Sequence, residues 1–192
     1  PDEGYQRGAQ IQFFNLVLAR RADEDVRVDR FTLFDVASLN PGDALLGGTT
    51  WKARLGLTRS WGLPWKQARL GPVLSGGPGI AWTPGPSNEN EPRALVYAFM
   101  DNHLAWDRSR ERRWILGSGV NIGALIDWRP GWRLNVEASE RHFTDASRER
   151  GLTLHQRLSL GPRDNLALQC EWARRDGFSG QRSCMLGWQR YF

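Results

Sequence analysis

Residues 114–128, WILGSGVNIGALIDW, constrain the fold of this chain more than any other stretch. One alternating set reads Trp114, Leu116, Ser118, Val120, Ile122, Ala124, Ile126, Trp128. The other reads Ile115, Gly117, Gly119, Asn121, Gly123, Leu125, Asp127. The first set is apolar with a Trp at each end, and the second is small and increasingly polar. A period of two with aromatic ends is the pattern of a tilted strand that crosses a bilayer, and it is long for a strand of a soluble protein.

The same alternation continues to the C-terminus. Arg129, Pro130 and Gly131 break it and Trp132 restarts it, with Leu134, Val136 and Ala138 on one face. A turn centred on Gly131 predicts Ile126 beside Leu134 and Ala124 beside Val136, which keeps apolar side chains together as a hairpin must. Leu152, Leu154, Leu158 and Leu160 share a face, as do Leu166, Leu168, Cys170 and Trp172, then Cys184, Leu186 and Trp188. A hairpin centred on Gly177 sets Cys170 opposite Cys184, Leu168 opposite Leu186 and Asp164 opposite Arg190. The two cysteines are either a cross-strand disulfide or two free thiols. Directly paired strand positions fit disulfide geometry tightly, which favours free thiols.

In the first half, strands are expected near residues 9–20, 26–38, 50–60, 65–74 and 94–105. GPVLSGGPGIAWTPGPSNENEP is irregular and leaves room for a short extra strand or a long loop. The expected fold is all-β: an antiparallel up-and-down transmembrane β-barrel of about ten strands, with eight to twelve possible, formed by residues 1–192 as one domain. The expected aromatic girdle comprises Trp51, Trp114, Trp128, Trp132, Trp172 and Trp188. From the C-terminal end, the links ARRDGFSG, GPRDN, HFTDASRER and RPG alternate long and short, as the loops and turns of outer-membrane barrels do, which predicts periplasmic termini.

Hydropathy excludes membrane helices, since no run approaches the roughly 18 apolar residues that one needs. The mean hydropathy of −0.53 suits a barrel, whose strands show lipid only every second residue. The net charge of +5 comes from 24 Arg and 2 Lys interspersed with Asp and Glu rather than gathered in one stripe, which argues against nucleic acid. Inward charges (Arg54, Arg133, Glu137, Arg157, Glu171) are expected to pair across a narrow, plugged lumen. No cofactor and no metal site is expected: Gly117, Gly119 and Gly123 sit on a strand and make no phosphate loop, and two cysteines fourteen apart make no zinc site.

A terminal Phe192 after alternating apolar positions resembles the signal read by the outer-membrane assembly machinery, although Arg190 departs from its usual frame. The segments GYQRGAQIQFFNL, RVDRFTLFDVASLNP and WKARLGLTR resemble the C-terminal region of bacterial proteins that carry an Lnb-type N-terminal periplasmic domain. The resemblance covers roughly the first 60 residues well, and the rest by barrel character alone. It implies the C-terminal part of a longer Gram-negative cell-envelope protein, located in the outer membrane. The partners it implies are membrane lipid, lipopolysaccharide, the assembly machinery and an attached periplasmic domain.

The principal functional expectation is therefore a membrane anchor without chemistry of its own, any activity belonging to the upstream domain. An alternative is a barrel enzyme that hydrolyses or transfers lipid acyl groups. His103, His142 and His155 are its candidate bases, and Asp101 and Glu140 stand two residues before the first two, on the same strand face. A second alternative is a soluble lipocalin-like barrel with apolar faces turned inward.

Overall fold

In the computed structural model, residues 9–19, 25–40, 48–59, 68–84, 93–107, 113–161, 163–177 and 180–190 are described. They form eleven strands and no helix: β1 Ala9–Ala19, β2 Arg27–Ser38, β3 Gly48–Arg59, β4 Leu70–Trp82, β5 Arg93–Met100, β6 Asn102–Trp106, β7 Trp114–Arg129, β8 Trp132–Phe143, β9 Arg148–Ser159, β10 Asp164–Arg175 and β11 Gln181–Arg190. All belong to one antiparallel sheet in chain order, with β6 wedged between β4 and β7 below β5. Ala98 pairs with Ile122 and His103 with Gly117, so β5 and β6 keep one register against β7 and read as a single strand interrupted at Asp101. The interruption faces Gly77 and Pro78 of β4, where a proline has no N–H to give to a ladder.

The hairpin registers are those expected. Ile126 pairs with Leu134 and Ala124 with Val136; Cys170 pairs with Cys184, Leu168 with Leu186 and Asp164 with Arg190. Gly131 and Gly177 turn these corners with φ of 79° and 78°, a backbone region that glycine enters without strain. Other expectations need correction. The fourth strand runs over Leu70–Trp82, inside the stretch that looked irregular, and the ladders on its Gly and Pro residues hold it. The final links are residues 130–131, 144–147, 160–163 and 176–180, so β8 and β9 extend into the apparent long loop and the long-short alternation disappears. Residues 65–67 and Phe192 lie outside the described residues.

The sheet curls strongly. Arg30 on β2 reaches across to Glu171 on β10 with a bidentate ion pair (3.0 and 2.8 Å), and the concave face encloses cavities of about 300 and 260 Å³. It does not close: among the described residues β1 and β11 do not pair with each other. The closed-barrel expectation is thereby overturned. An open edge leaves backbone N–H and C=O groups that a bilayer interior cannot satisfy. The transmembrane assignment, the outer-membrane location and the role of membrane anchor all rested on closure and fall with it.

Sidedness nonetheless follows the alternation. Ile122, Val120, Leu116, Leu152 and Leu186 stand on the convex face, with Ile122 54% exposed and Leu186 69%. The concave face carries the charges and Tyr97, Phe99 and Phe143. Gly123 and Gly117 supply the space for Tyr97 and Phe143, since a Cβ at either would lie within 2.6 Å of the facing ring. Of the tryptophans, Trp51, Trp128 and Trp188 are exposed near one end of the strands. Trp114 is exposed at the other, stacked on Trp106, while Trp132 and Trp172 are half-buried.

Cys170 and Cys184 are joined as a disulfide, so the favoured free-thiol reading is also corrected. The bond staples the last hairpin, which has only one neighbouring strand beyond it to hold it in place. Closing a loop of this size stabilises a chain by about 3 kcal/mol. Replacing both cysteines with serine is expected to lower unfolding free energy by about that amount in a urea titration, with the slope little changed.

Candidate functional site

The concave face is an ion-pair network. Asp101, 1% exposed, accepts from Arg141 Nε at 2.7 Å and faces Lys52 Nζ at 3.5 Å; Arg141 also donates to Glu149 at 2.8 Å. Arg54 pairs with Asp35 and Arg133 with Asp127. Glu137 accepts from Tyr97 Oη (2.9 Å), Asn121 Nδ2 (2.9 Å) and Asn135 Nδ2 (3.1 Å). Burial alone would push the Glu137 carboxyl up, but those donors and the charge of Lys52 hold it below its ordinary value. Buried charges persist when paired in this way, so the network reads as the polar core of the curl.

Two candidate histidines belong to that core. Asp101 and His103 share the concave side, but Arg141 and Lys52 claim the carboxylate, and the His103 ring packs edge-on against Phe143 at 5.6 Å. Burial, and next the positive charge of Arg141, push the His103 imidazole down to about 4, so it stands neutral and unoriented by a carboxylate. His155 is likewise pushed down by burial and then by Arg157.

With the folded value of His103 lowered from 6.5 to about 4, the unfolded chain takes up a proton first as pH falls. Its contribution to stability is therefore complete above pH 6.5 and is lost as pH falls towards 4. Urea titrations across that window are expected to show this loss, and His103→Gln is expected to remove it.

The third histidine lies elsewhere. His142 is on the convex face, 66% exposed, with Nε2 3.3 Å from Glu140 Oε1. Directly opposite it on β7 is Ser118. Opposed residues of an antiparallel pair hold their Cβ atoms about 4.5–5.5 Å apart, a span that a Ser hydroxyl and an imidazole bridge by rotamer choice. Ser118 Oγ donates to Asn102 Oδ1 at 2.9 Å. Glu140 is further held by Arg148 and by Arg150 Nε at 3.3 Å. The hydrogen bond from Arg148, outweighing desolvation, holds the Glu140 carboxyl below its usual range, so it remains an anion.

Three strands thus bring an alcohol, an imidazole, a carboxylate and an amide together on the outer surface: Asn102 from β6, Ser118 from β7, Glu140 and His142 from β8. Around them stand Leu116 and Val120 on the same strand, and Met100, the partner of Val120. At the strand end, the β8–β9 turn is strapped down by Arg175. It donates to Ser147 Oγ (2.7 Å) and Asp145 Oδ2 (2.8 Å) and lies 4.0 Å over the Phe143 ring. Burial would raise the Asp145 carboxyl, but Ser147 and Arg175 bring it down to about 2.

The sequence offered the Glu140–His142 spacing and named His142. Ser118 and Asn102 were missed. The signal was present: Ser118 is the one hydroxyl in the apolar stripe of residues 114–128, and the Gly131 register places it opposite His142. Among the described residues no group of three or more His, Cys, Asp and Glu side chains is placed to hold a metal ion.

The chain belongs to the family described as Domain of unknown function (DUF7840), which matches residues 1–191. No curated protein and no solved structure matches it. The sequence resemblance to the C-terminal region of Lnb-type proteins is thus corrected: it carried the expectation of a closed barrel, and the sheet is open.

Proposed function

We propose, for this member of the family, that the domain cleaves acyl esters of lipids on its convex face. Ser118 is the nucleophile, His142 the base, Glu140 the carboxylate that orients it and Asn102 the donor to the oxyanion. The observation that supports this most is the register that sets His142, held by Glu140, directly opposite Ser118, which is held by Asn102, on an exposed face beside Leu116, Val120 and Met100. A polar cluster in that setting lies where an acyl chain rests on Leu116, Val120 and Met100 with its ester beside Ser118. A lipocalin-like binder would line its concave side with apolar side chains, and here that side carries an ion-pair network beside Tyr97, Phe99 and Phe143.

The chemistry follows the general logic of an activated serine. Ser118 turns about χ1 from Asn102 towards His142 and gives its proton to the imidazole as Oγ bonds to the ester carbon. With Nε2 held by Glu140, Nδ1 is the nitrogen that takes the proton, and Glu140 stabilises the cation formed. The Asn102 amide, released from the hydroxyl, turns an N–H to the oxyanion. Collapse breaks the ester C–O bond, and the departing alcohol takes the proton from His142. Water, activated by the same base, then frees the fatty acid and restores Ser118.

Fatty-acid release from acyl lipids in mixed micelles tests this. Release by the wild-type domain, lost in His142→Ala, is the expected result; no release from any acyl ester by the wild type would end the proposal.

A further inference from the structure

Beside Glu140 and His142 the convex face changes character within one row of residues. On β9, Arg148 pairs with His142 and Arg150 with Glu140; on β10, Arg174 lies directly opposite Arg150; on β11, Arg182 lies opposite Trp172. Arg150 is 58% exposed, and Arg174 and Arg182 are exposed. The next row towards the sheet centre sets Leu152 opposite Trp172, with Arg182 at its β11 end.

Like charges directly opposite one another on a sheet repel. Arg150 and Arg174 are such a pair, with Arg148 two residues from Arg150 on the same face. Glu140 is the carboxylate that pairs with Arg148 and Arg150, while Arg174 makes no ion pair with a described residue. The patch therefore carries more positive charge than Glu140 neutralises, and a bound anion relieves it. Guanidinium groups match phosphate oxygens in bidentate fashion. The apolar pair Leu152 and Trp172 beneath requires the occupant to be apolar at its other end.

From these positions we infer that the substrate handled at Ser118 is a phosphate-bearing acyl lipid, its phosphate held by Arg150 and Arg174 and a second chain, beside the one that is cleaved, laid over Leu152 and Trp172. This rests on the proposed esterase reading of Ser118 for the reaction, but the binding stands separately. A lipid is favoured over free phosphate because the arginine row is continuous with the apolar surface.

Two measurements on the whole domain separate the claims. Hydrolysis is compared for phosphatidylglycerol and for an uncharged glycosyl diacylglycerol with the same acyl chains, and co-sedimentation is measured with vesicles of each. The expected result is at least a tenfold preference for phosphatidylglycerol in kcat/KM, carried by KM, and in vesicle binding. Arg174→Gln and Arg150→Gln are each expected to narrow it. Equal hydrolysis and equal binding of the two lipids overturn the inference while leaving Ser118 as nucleophile. Arginine-dependent binding to phosphatidylglycerol vesicles without hydrolysis of either lipid upholds the phosphate-lipid site, and it sinks the esterase reading and with it the assignment of that lipid as substrate. Retention of inorganic phosphate with no preference between the vesicles identifies a free-phosphate site and overturns it.

Discussion

Ser118→Ala is expected to lower kcat for acyl-ester cleavage by at least about 10⁴-fold while leaving the sheet folded, the loss seen when a serine nucleophile is removed from a working constellation. Its side chain is exposed and its one hydrogen bond among the described residues is to Asn102, so a methyl at that position disturbs no packing. Asn102→Ala removes the oxyanion donor rather than the nucleophile, and a loss of about 10²–10³ in kcat with KM little changed is expected. Double replacement of Ser118 and His142 is expected to cost no more than Ser118→Ala alone, because the two act as a unit. Steady-state assays in mixed micelles, with circular dichroism as the check on folding, measure all three.

The second large effect concerns the fold. Asp101 is buried between Arg141 and Lys52, and its backbone N–H donates to Gly119 O at 2.9 Å. Asp101→Ala leaves a buried guanidinium and an ammonium facing each other without the intervening anion. Breaking a buried ion pair from one side costs about 3–5 kcal/mol, a large fraction of the stability of a domain this size. A urea titration that places the variant within about 1 kcal/mol of wild type would mean that the network carries little of the stability. Asp101→Asn keeps the shape and some hydrogen bonding, and an intermediate loss is expected. Ser118 sits on the opposite face of the sheet, so the rate per folded molecule should survive either change.

Strands β7 to β11 are legible in the sequence because only one of their faces is apolar, and a one-residue slip would invert every side chain. β4 is hidden because its residues 71–79 hold Gly71, Pro72, Gly76, Gly77, Pro78 and Gly79, a composition that reads as turn. There the ladders to Lys52, Ala53 and their neighbours decide the structure rather than local preference. Closure was over-read for a different reason: alternation tells which way side chains point, but not whether the first strand meets the last. The loop rhythm misled because β8 and β9 run on through Arg148 and Phe143 almost to their turn.

The site was half legible. Two residues apart on one strand, Glu140 and His142 had to share a face, and they do. Asp101 and His103 had the same spacing, and there Arg141 and Lys52 from other strands outcompeted the imidazole for the carboxylate. Spacing along a strand states which groups can meet, and neighbouring strands decide which do.

Labelling with a fluorophosphonate, which phosphonylates only a serine activated as a nucleophile, tests the central claim most directly. Mass spectrometry of the digested wild-type domain is predicted to place the modification on Ser118, and His142→Ala to abolish it. An unmodified Ser118 in the folded wild type, or a label carried equally by the His142→Ala variant, would contradict it.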